Sequence, residues 1–175
     1  MNENLYNYLV ENNFLVHGIG EVNDEDTFFK FESILKNGGL MSLKRLKELG
    51  INVVGKVVGE VRDTPKSKIS LFNPSIPSIK KQLLSNKYYY FLPFHPNVIF
   101  FIIDTSNINA QQHPNIPFEV NVDGFISIDS FKGVIAPTGY AEYLNDIQNK
   151  YDIHLPIYDF DFNITNNIDT NVIKK

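Results

Sequence analysis

Two side chains stand at the ends of predicted β-strands, where a rigid backbone could hold them for chemistry. His17 follows an apolar segment over residues 14–16 and precedes Gly18, and Glu119 opens an alternating segment over residues 118–122. A carboxylate held on a strand can stabilise a positive charge that develops in a bound substrate. Taken singly, each residue has a simpler interpretation, because such a histidine is commonly a hydrogen-bonded structural residue and such a glutamate is commonly solvated.

Longer patterns surround both residues. The first runs Phe14-Leu-Val-His-Gly18 and leads into a helix that ends Ser33-Ile-Leu-Lys-Asn-Gly-Gly-Leu-Met-Ser42. The second runs Phe118-Glu-Val-Asn-Val-Asp-Gly-Phe-Ile-Ser127 and is followed by Phe131-Lys-Gly-Val-Ile-Ala-Pro137. In their order and spacing these motifs resemble the ADP-ribosyltransferase superfamily, nearest to its histidine-type branch of toxin-like and poly-ADP-ribose polymerase-like members. The resemblance covers roughly residues 14–137.

The resemblance implies a mono-ADP-ribosyltransferase, which moves ADP-ribose from NAD to a macromolecular acceptor. Glu119 would then be the catalytic carboxylate beside the reacting ribose. His17 would hydrogen-bond a ribose hydroxyl, and the main chain of Gly18 would pair with the nicotinamide amide, which requires a close approach without a side chain.

The middle motif departs from the family pattern. Its nearest equivalent is Lys68-Ile-Ser-Leu-Phe72, where Ser70 could supply the hydroxyl and Phe72, or a ring among residues 88–90, could stack on nicotinamide. The family's Thr and second Ser are missing. The position two residues before Glu119 is Pro117, whereas the arginine-modifying branch has Glu or Gln there, so we do not expect modification of arginine by that route.

Hydrophobic periodicity and turn residues predict an α+β fold, because the helices are grouped rather than alternating with strands. Under the resemblance the core is an ADP-ribosyltransferase-like split mixed β-sheet, with helices concentrated in the N-terminal half. Helices are predicted over residues 4–11, 26–36, 42–49, 76–84 and 140–151. Strands are predicted over residues 14–18, 51–61, 68–72, 88–94, 98–104, 118–122, 133–136 and 155–162.

Length and composition favour one domain of residues 1–163, followed by a loose polar tail of residues 164–175. The 175 residues include no cysteine, which excludes disulfides and thiolate sites. The net charge of −4 argues against general affinity for nucleic-acid phosphates, so a protein acceptor is expected. The sequence shows neither a secretory signal nor a membrane-length apolar run. We therefore expect a cytoplasmic protein, or one delivered into a host cell without such a signal, such as a bacterial toxin, an effector or a phage–host conflict protein.

Two other functional classes stay open at this stage. The incomplete middle motif fits a catalytically inactive relative that serves as a binding or inhibitory module. An unrelated alternative is a metal-dependent hydrolase that uses Asp104, Asp159 and Asp161, since the last two alternate with aromatic residues in the final predicted strand. The transferase interpretation assigns no metal.

Overall fold

The computed structural model describes residues 1–52, 65–85 and 95–165. The helices are α1 (Glu3–Glu11), α2 (Glu25–Lys36), α3 (Leu43–Glu48), α4 (Lys80–Leu84) and α5 (Ala141–Asn149). The strands are β1 (Leu15–Glu21), β2 (Gly39–Met41), β3 (Lys68–Phe72), β4 (Val98–Ile103), β5 (Ala110–Gln112), β6 (Glu119–Asp123), β7 (Phe125–Ser127), β8 (Phe131–Ile135) and β9 (Ile157–Tyr158). Of the strand predicted over residues 51–61, residues 51 and 52 are not in a strand and the rest lie outside the described residues, as does the strand predicted over residues 88–94.

Seven strands form the main sheet in the order β5-β6-β3-β1-β4-β8-β9, and β2 pairs with β7 in a small second sheet. Neighbouring strands of the main sheet are antiparallel except for β8 and β9, which are parallel. The mixed sheet and the helices together confirm the predicted α+β class. Of the five α-helices within residues 1–52, 65–85 and 95–165, four precede residue 85, which agrees with their predicted concentration in the N-terminal half.

Polar caps define the starts of the first three helices. The side chains of Asn2, Asp24 and Ser42 accept hydrogen bonds from main-chain N–H groups in the first turns of α1, α2 and α3. Such caps satisfy N–H groups that have no partner within the helix. At the other end of α2, Gly38 adopts a φ of +73°, which a glycine accommodates without steric cost.

The main sheet is covered on both sides. One side packs against α2 and α5, where Phe31 of α2 stacks on Phe101 of β4 with ring centroids 5.2 Å apart. The other side packs against α1 and α4, whose Leu5, Leu9 and Leu83 are buried with Phe100 of β4. Because β4 is buried on both faces, its nearly continuous apolar sequence correctly predicted a central strand.

The pairing between β1 and β3 is unusually short. Their ladder consists of one pair, Val16 with Phe72, whereas β1 pairs with β4 along its whole length. We call the place where the ladder between β1 and β3 ends the seam. The seam matters for function because the motif residues of β1 and β3 lie on either side of it.

The structure corrects the bounds of the first and the last predicted strand. The first strand was expected to end at Gly18, but β1 continues to Glu21 through an irregularity between Gly18 and Gly20. The last strand was expected over residues 155–162, but β9 contains only Ile157 and Tyr158. It ends early because the Asp159 side chain accepts main-chain hydrogen bonds in a turn.

The predicted loose tail also begins later than expected. Ile164 forms a β-bridge with Tyr158, and the N–H of Thr165 donates to Ile157 O at 2.8 Å. Residues 164 and 165 are therefore tied to the edge of the sheet by β9. The rest of the predicted tail lies outside the described residues.

A substitution at Gly20 would test how closely β1 packs against α2. Its φ is +151°, and an added Cβ would overlap Thr27 Oγ1. We expect Gly20→Ala to lower the free energy of unfolding by about 2–4 kcal/mol, because backbone strain adds to overpacking. Chemical denaturation would measure this loss.

Gly50→Ala is the matched control. Gly50 also has a positive φ, +67°, but an added Cβ meets nothing within 4 Å. Only the backbone strain remains there, about 1 kcal/mol. Equal losses in the two variants would contradict the steric argument for Gly20.

Candidate functional site

The strands β1, β3 and β6 carry all five candidate residues and are consecutive in the main sheet. β1 contributes His17 and Gly18, β3 contributes Ser70 and Phe72, and β6 begins with Glu119. Segments that are up to a hundred residues apart in the chain therefore meet in one part of the sheet.

The His17 ring bridges the seam. Its Nδ1 lies 2.8 Å from the main-chain oxygen of Ser70. Because a carbonyl oxygen only accepts, Nδ1 carries the hydrogen and donates it. In the neutral ring Nε2 is then left as an acceptor, with a lone pair that could receive a hydroxyl hydrogen.

Burial sets the charge state of this ring. It lowers the pKa of His17 below its ordinary value, and the hydrogen bond to Ser70 opposes that change with a smaller effect. Desolvation disfavours the charged imidazolium, so the pKa shift favours the neutral ring.

Strand alternation separates His17 from Glu119. The ladders pair Val16 with Phe72 and Phe72 with Glu119, so these three side chains point to one side of the sheet. His17 is the next residue after Val16 and pairs with Phe101, whose ring packs against α2 on the other side. His17 and Glu119, which the resemblance assigns to the same bound NAD, therefore point to opposite sides of the sheet.

Gly18 lies on the same side as Glu119. Its ladder partner is Phe100, which belongs to the core beneath α1 and α4. An added Cβ at Gly18 would lie 3.0 Å from a Phe100 ring carbon. The main chain of Gly18 is nevertheless exposed, which leaves room for close approach by a ligand.

Phe72 is a core residue in this structure. Its side chain is 5% exposed and belongs to the cluster beneath α1 and α4. Its ring centroid lies 5.5 Å from that of Phe118. The ring therefore forms part of the wall next to Glu119, and its packing does not show the open face that stacking on nicotinamide would need.

Glu119 is held by a closely bonded loop that sequence reasoning missed. The Gln112 amide donates to the main-chain oxygens of Ile116, Pro117 and Glu119 at 2.8–3.0 Å. The buried His113 ring accepts from the N–H groups of Asn115 and Ile116 at 3.1 Å. These bonds fix the backbone at the start of β6, and Glu119 itself is only 2% exposed.

Asn121 is a second residue that the sequence analysis did not single out. It follows Glu119 by two positions, pairs with Ser70 and is 6% exposed. Its Oδ1 has no hydrogen-bond partner within the described ranges. The available signal was the alternation of β6, which places Asn121 on the same side as Glu119.

Comparison with known proteins returned no match. No protein-family model fits the chain, and neither the curated proteins nor the solved structures include a similar one. Among the helices of the described ranges, none is long and apolar enough to cross a bilayer.

The three aspartates of the metal alternative do not form a site. Asp159 and Asp161 lie in a turn rather than on one strand face, and both Asp159 oxygens accept hydrogen bonds from the chain. Asp104 bonds the N–H of Ser106 and lies 3.5 Å from Lys132 Nζ. Across residues 1–52, 65–85 and 95–165, no cluster of His, Asp and Glu could hold a metal ion.

The lowered pKa of His17 predicts acid sensitivity. Because the unfolded chain takes up a proton at a higher pH than the folded chain, stability is full above the ordinary histidine pKa of about 6.5 and falls below it. His17→Asn keeps a donor near Nδ1 but does not titrate. We expect the variant to lose less stability than the wild type between pH 7.5 and pH 5, as measured by denaturant titration.

His154→Asn is the control for this experiment. His154 is an exposed residue whose Nε2 lies 3.2 Å from Asp152. Its replacement should leave the pH profile of the wild type in place. If His17→Asn and wild type also lost stability in parallel, the lowered pKa would not govern acid sensitivity.

Proposed function

We propose that this protein transfers ADP-ribose from NAD to a macromolecular acceptor and releases nicotinamide. One observation carries the proposal: Gly18, Ser70 and Glu119 lie on the same side of three consecutive strands, next to the seam. Under this proposal the seam would be the counterpart of the split core expected from the resemblance.

The reaction follows from the chemistry of the glycosidic bond. The bond between ribose C1′ and the nicotinamide nitrogen breaks, and its electron pair leaves with nicotinamide. A nucleophilic oxygen or nitrogen of the acceptor forms the new bond to C1′ and loses its proton to a base or to water. The ribose passes through an oxocarbenium-like state, as in glycoside hydrolysis.

Under this proposal Glu119 stabilises the positive ribose. Its burial places the carboxylate in surroundings of low polarity, where an ion acts more strongly on a nearby charge than it would in water. The hydrogen bonds that Gln112 and His113 form in the loop before β6 fix the main chain of Glu119, so its carboxylate does not need to be repositioned during the reaction.

His17 contributes mainly to position under this proposal. Its bond to Ser70 fixes the spacing of β1 and β3 where they separate, and this spacing sets where Gly18 stands relative to Glu119. The hydrogen bond from a ribose hydroxyl to His17 stays a prediction; because the His17 ring and Glu119 point to opposite sides of the sheet, the hydroxyl would have to reach Nε2 through the seam.

The acceptor we propose is a protein, because the net charge of −4 disfavours general binding to nucleic acid. A small transferase of this kind suits a toxin, an effector or a phage–host conflict protein. Labelled NAD incubated with a host lysate, followed by mass spectrometry, would identify the modified molecule.

A second candidate function is a non-catalytic binding or inhibitory module built on the same fold. The burial of Glu119 favours it, because a 2% exposed carboxylate is poorly placed to meet a large acceptor. Calorimetry with NAD separates the two functions. Binding heat together with nicotinamide release supports the transferase, and binding without release supports the module.

Glu119→Gln tests the catalytic role. The substitution removes the charge while changing little volume, so we expect NAD binding to persist and nicotinamide release to fall at least 100-fold. Chromatographic measurement of free nicotinamide provides the readout.

Asp123→Asn is the matched control, because Asp123 lies on the same side of β6 but is exposed at its end. The control should release nicotinamide at the wild-type rate. Unchanged release by Glu119→Gln would reject Glu119 as the catalytic carboxylate.

His17→Asn and His17→Ala together test the histidine. Asn retains the donor that reaches Ser70 O but lacks Nε2, whereas Ala lacks both. If Nε2 accepts a ribose hydroxyl, both variants should bind NAD about 3–10-fold more weakly, the value of one hydrogen bond. Wild-type affinity in His17→Asn would show that the ring serves the seam alone.

A further inference from the structure

A polar strip crosses β3 and β6 on the side of the sheet that carries Glu119. The strip consists of three cross-strand pairs, Lys68 with Asp123, Ser70 with Asn121, and Phe72 with Glu119. The opposite side of the same two strands is apolar and lies in the core, with Ile69, Leu71, Val120 and Val122. A polar side that is nevertheless covered at Asn121 and Glu119 differs from an ordinary solvated sheet face.

The Asn121 side chain is incomplete in its hydrogen bonding. Its Oδ1 is inaccessible to solvent and has no donor among the residues that the structure describes. The neighbouring ammonium group of Lys68 is already engaged by Asp123 at 2.9 Å and by Gln111 at 3.3 Å. A buried acceptor without a donor destabilises the folded state, and a ligand that supplies the donor removes this cost.

Thr27 provides an instructive contrast. Its Oγ1 is also buried, and it has no hydrogen-bond partner among the residues described in the structure. That oxygen lies directly against Gly20, where not even one added carbon fits. Packing between α2 and β1 accounts for Thr27, whereas Asn121 lies beside a serine and a candidate catalytic carboxylate.

We propose that Asn121 Oδ1 accepts a hydrogen bond from the carboxamide NH2 group of NAD. The inference rests on the proposed function and names a contact in the same site. Asn121 lies two residues, about 7 Å, along β6 from Glu119. In NAD the carboxamide is on C3 of the pyridinium ring, meta to the glycosidic nitrogen, so a ribose at Glu119 with the ring extended along β6 brings the amide near Asn121.

Under this proposal Gly18 and Asn121 each form hydrogen bonds with part of the carboxamide. A primary amide offers two hydrogens and one acceptor oxygen. Gly18 follows Val16 by two residues in β1 and Ser70 precedes Phe72 by two residues in β3, so Gly18 and Ser70 lie across the seam from each other, and Ser70 pairs with Asn121. The Gly18 carbonyl oxygen accepts one N–H of the carboxamide, and the Gly18 N–H donates to the carboxamide oxygen. Asn121 Oδ1 accepts the second N–H of the carboxamide.

This contact would give the site a chemical preference. A site with a buried acceptor discriminates against a ligand that lacks the matching donor. The dinucleotide that carries 3-acetylpyridine in place of nicotinamide keeps the carbonyl oxygen but has a methyl group instead of NH2. We expect the wild-type protein to bind NAD about tenfold more tightly than this analogue.

Asn121→Leu tests the contact, because leucine has the same branched skeleton without polar atoms. We expect the melting temperature to rise by about 2–6 °C, since the unpaired acceptor is gone. NAD affinity should fall about tenfold, and the preference for NAD over the acetylpyridine dinucleotide should disappear. Thermal unfolding and calorimetry measure these effects, and Asp123→Asn, on the same side of β6, should retain the wild-type preference.

The possible results separate the contact from the proposed function. A lower melting temperature with an unchanged ligand preference would make Asn121 a structural residue and overturn the inference. Wild-type protein that binds both dinucleotides equally would overturn the contact while leaving NAD as the substrate. Wild-type protein that binds neither would reject the proposed function, and the contact would fall with it.

Discussion

The hydrogen bond from His17 to Ser70 O is the interaction on which the site depends. Strand β1 is fully paired with β4, but it meets β3 at one residue pair only. Where the two strands separate, the imidazole supplies the donor that a continuing ladder would have supplied to the Ser70 carbonyl. A side chain in this place joins the two strands where their main-chain ladder has stopped.

The seam explains how a polar site can exist inside a covered sheet. On the central strand β4 both faces are apolar, since helices cover both sides. Beyond the seam, β3 and β6 keep their apolar side toward the core and turn Ser70, Asn121 and Glu119 to the other side. The Gln112 and His113 bonds then fix the start of β6, so the Glu119 backbone is held from its own loop. The loop before β6 thus fixes the position of Glu119, whereas the alternation of β3 and β6 makes this side of the sheet polar.

Sequence reasoning predicted the secondary structure best where the signal was local. The apolar run of β4 is a property of adjacent residues, and the structure confirmed it as a central strand. The last strand was wrong because the Asp159 side chain competes with the ladder for main-chain N–H groups. The short strands β2, β5 and β7 were missed because three residues carry too little periodicity to detect.

The site shows the same division between local and long-range information. Motif spacing selected five residues that prove to lie on adjacent strands, but the side to which each points depends on register. His17 and Gly18 are neighbours in the sequence and point to opposite sides, so only one of them can share a side with Glu119. Asn121 was missed for a related reason, since an asparagine inside a strand has no distinctive pattern. Asn121 becomes a candidate site residue only when its pairing with Ser70 is considered together with the lack of a donor to its Oδ1 among the described residues. Register and hydrogen-bond satisfaction are properties of the folded sheet, and they decide here which polar residues belong to the site.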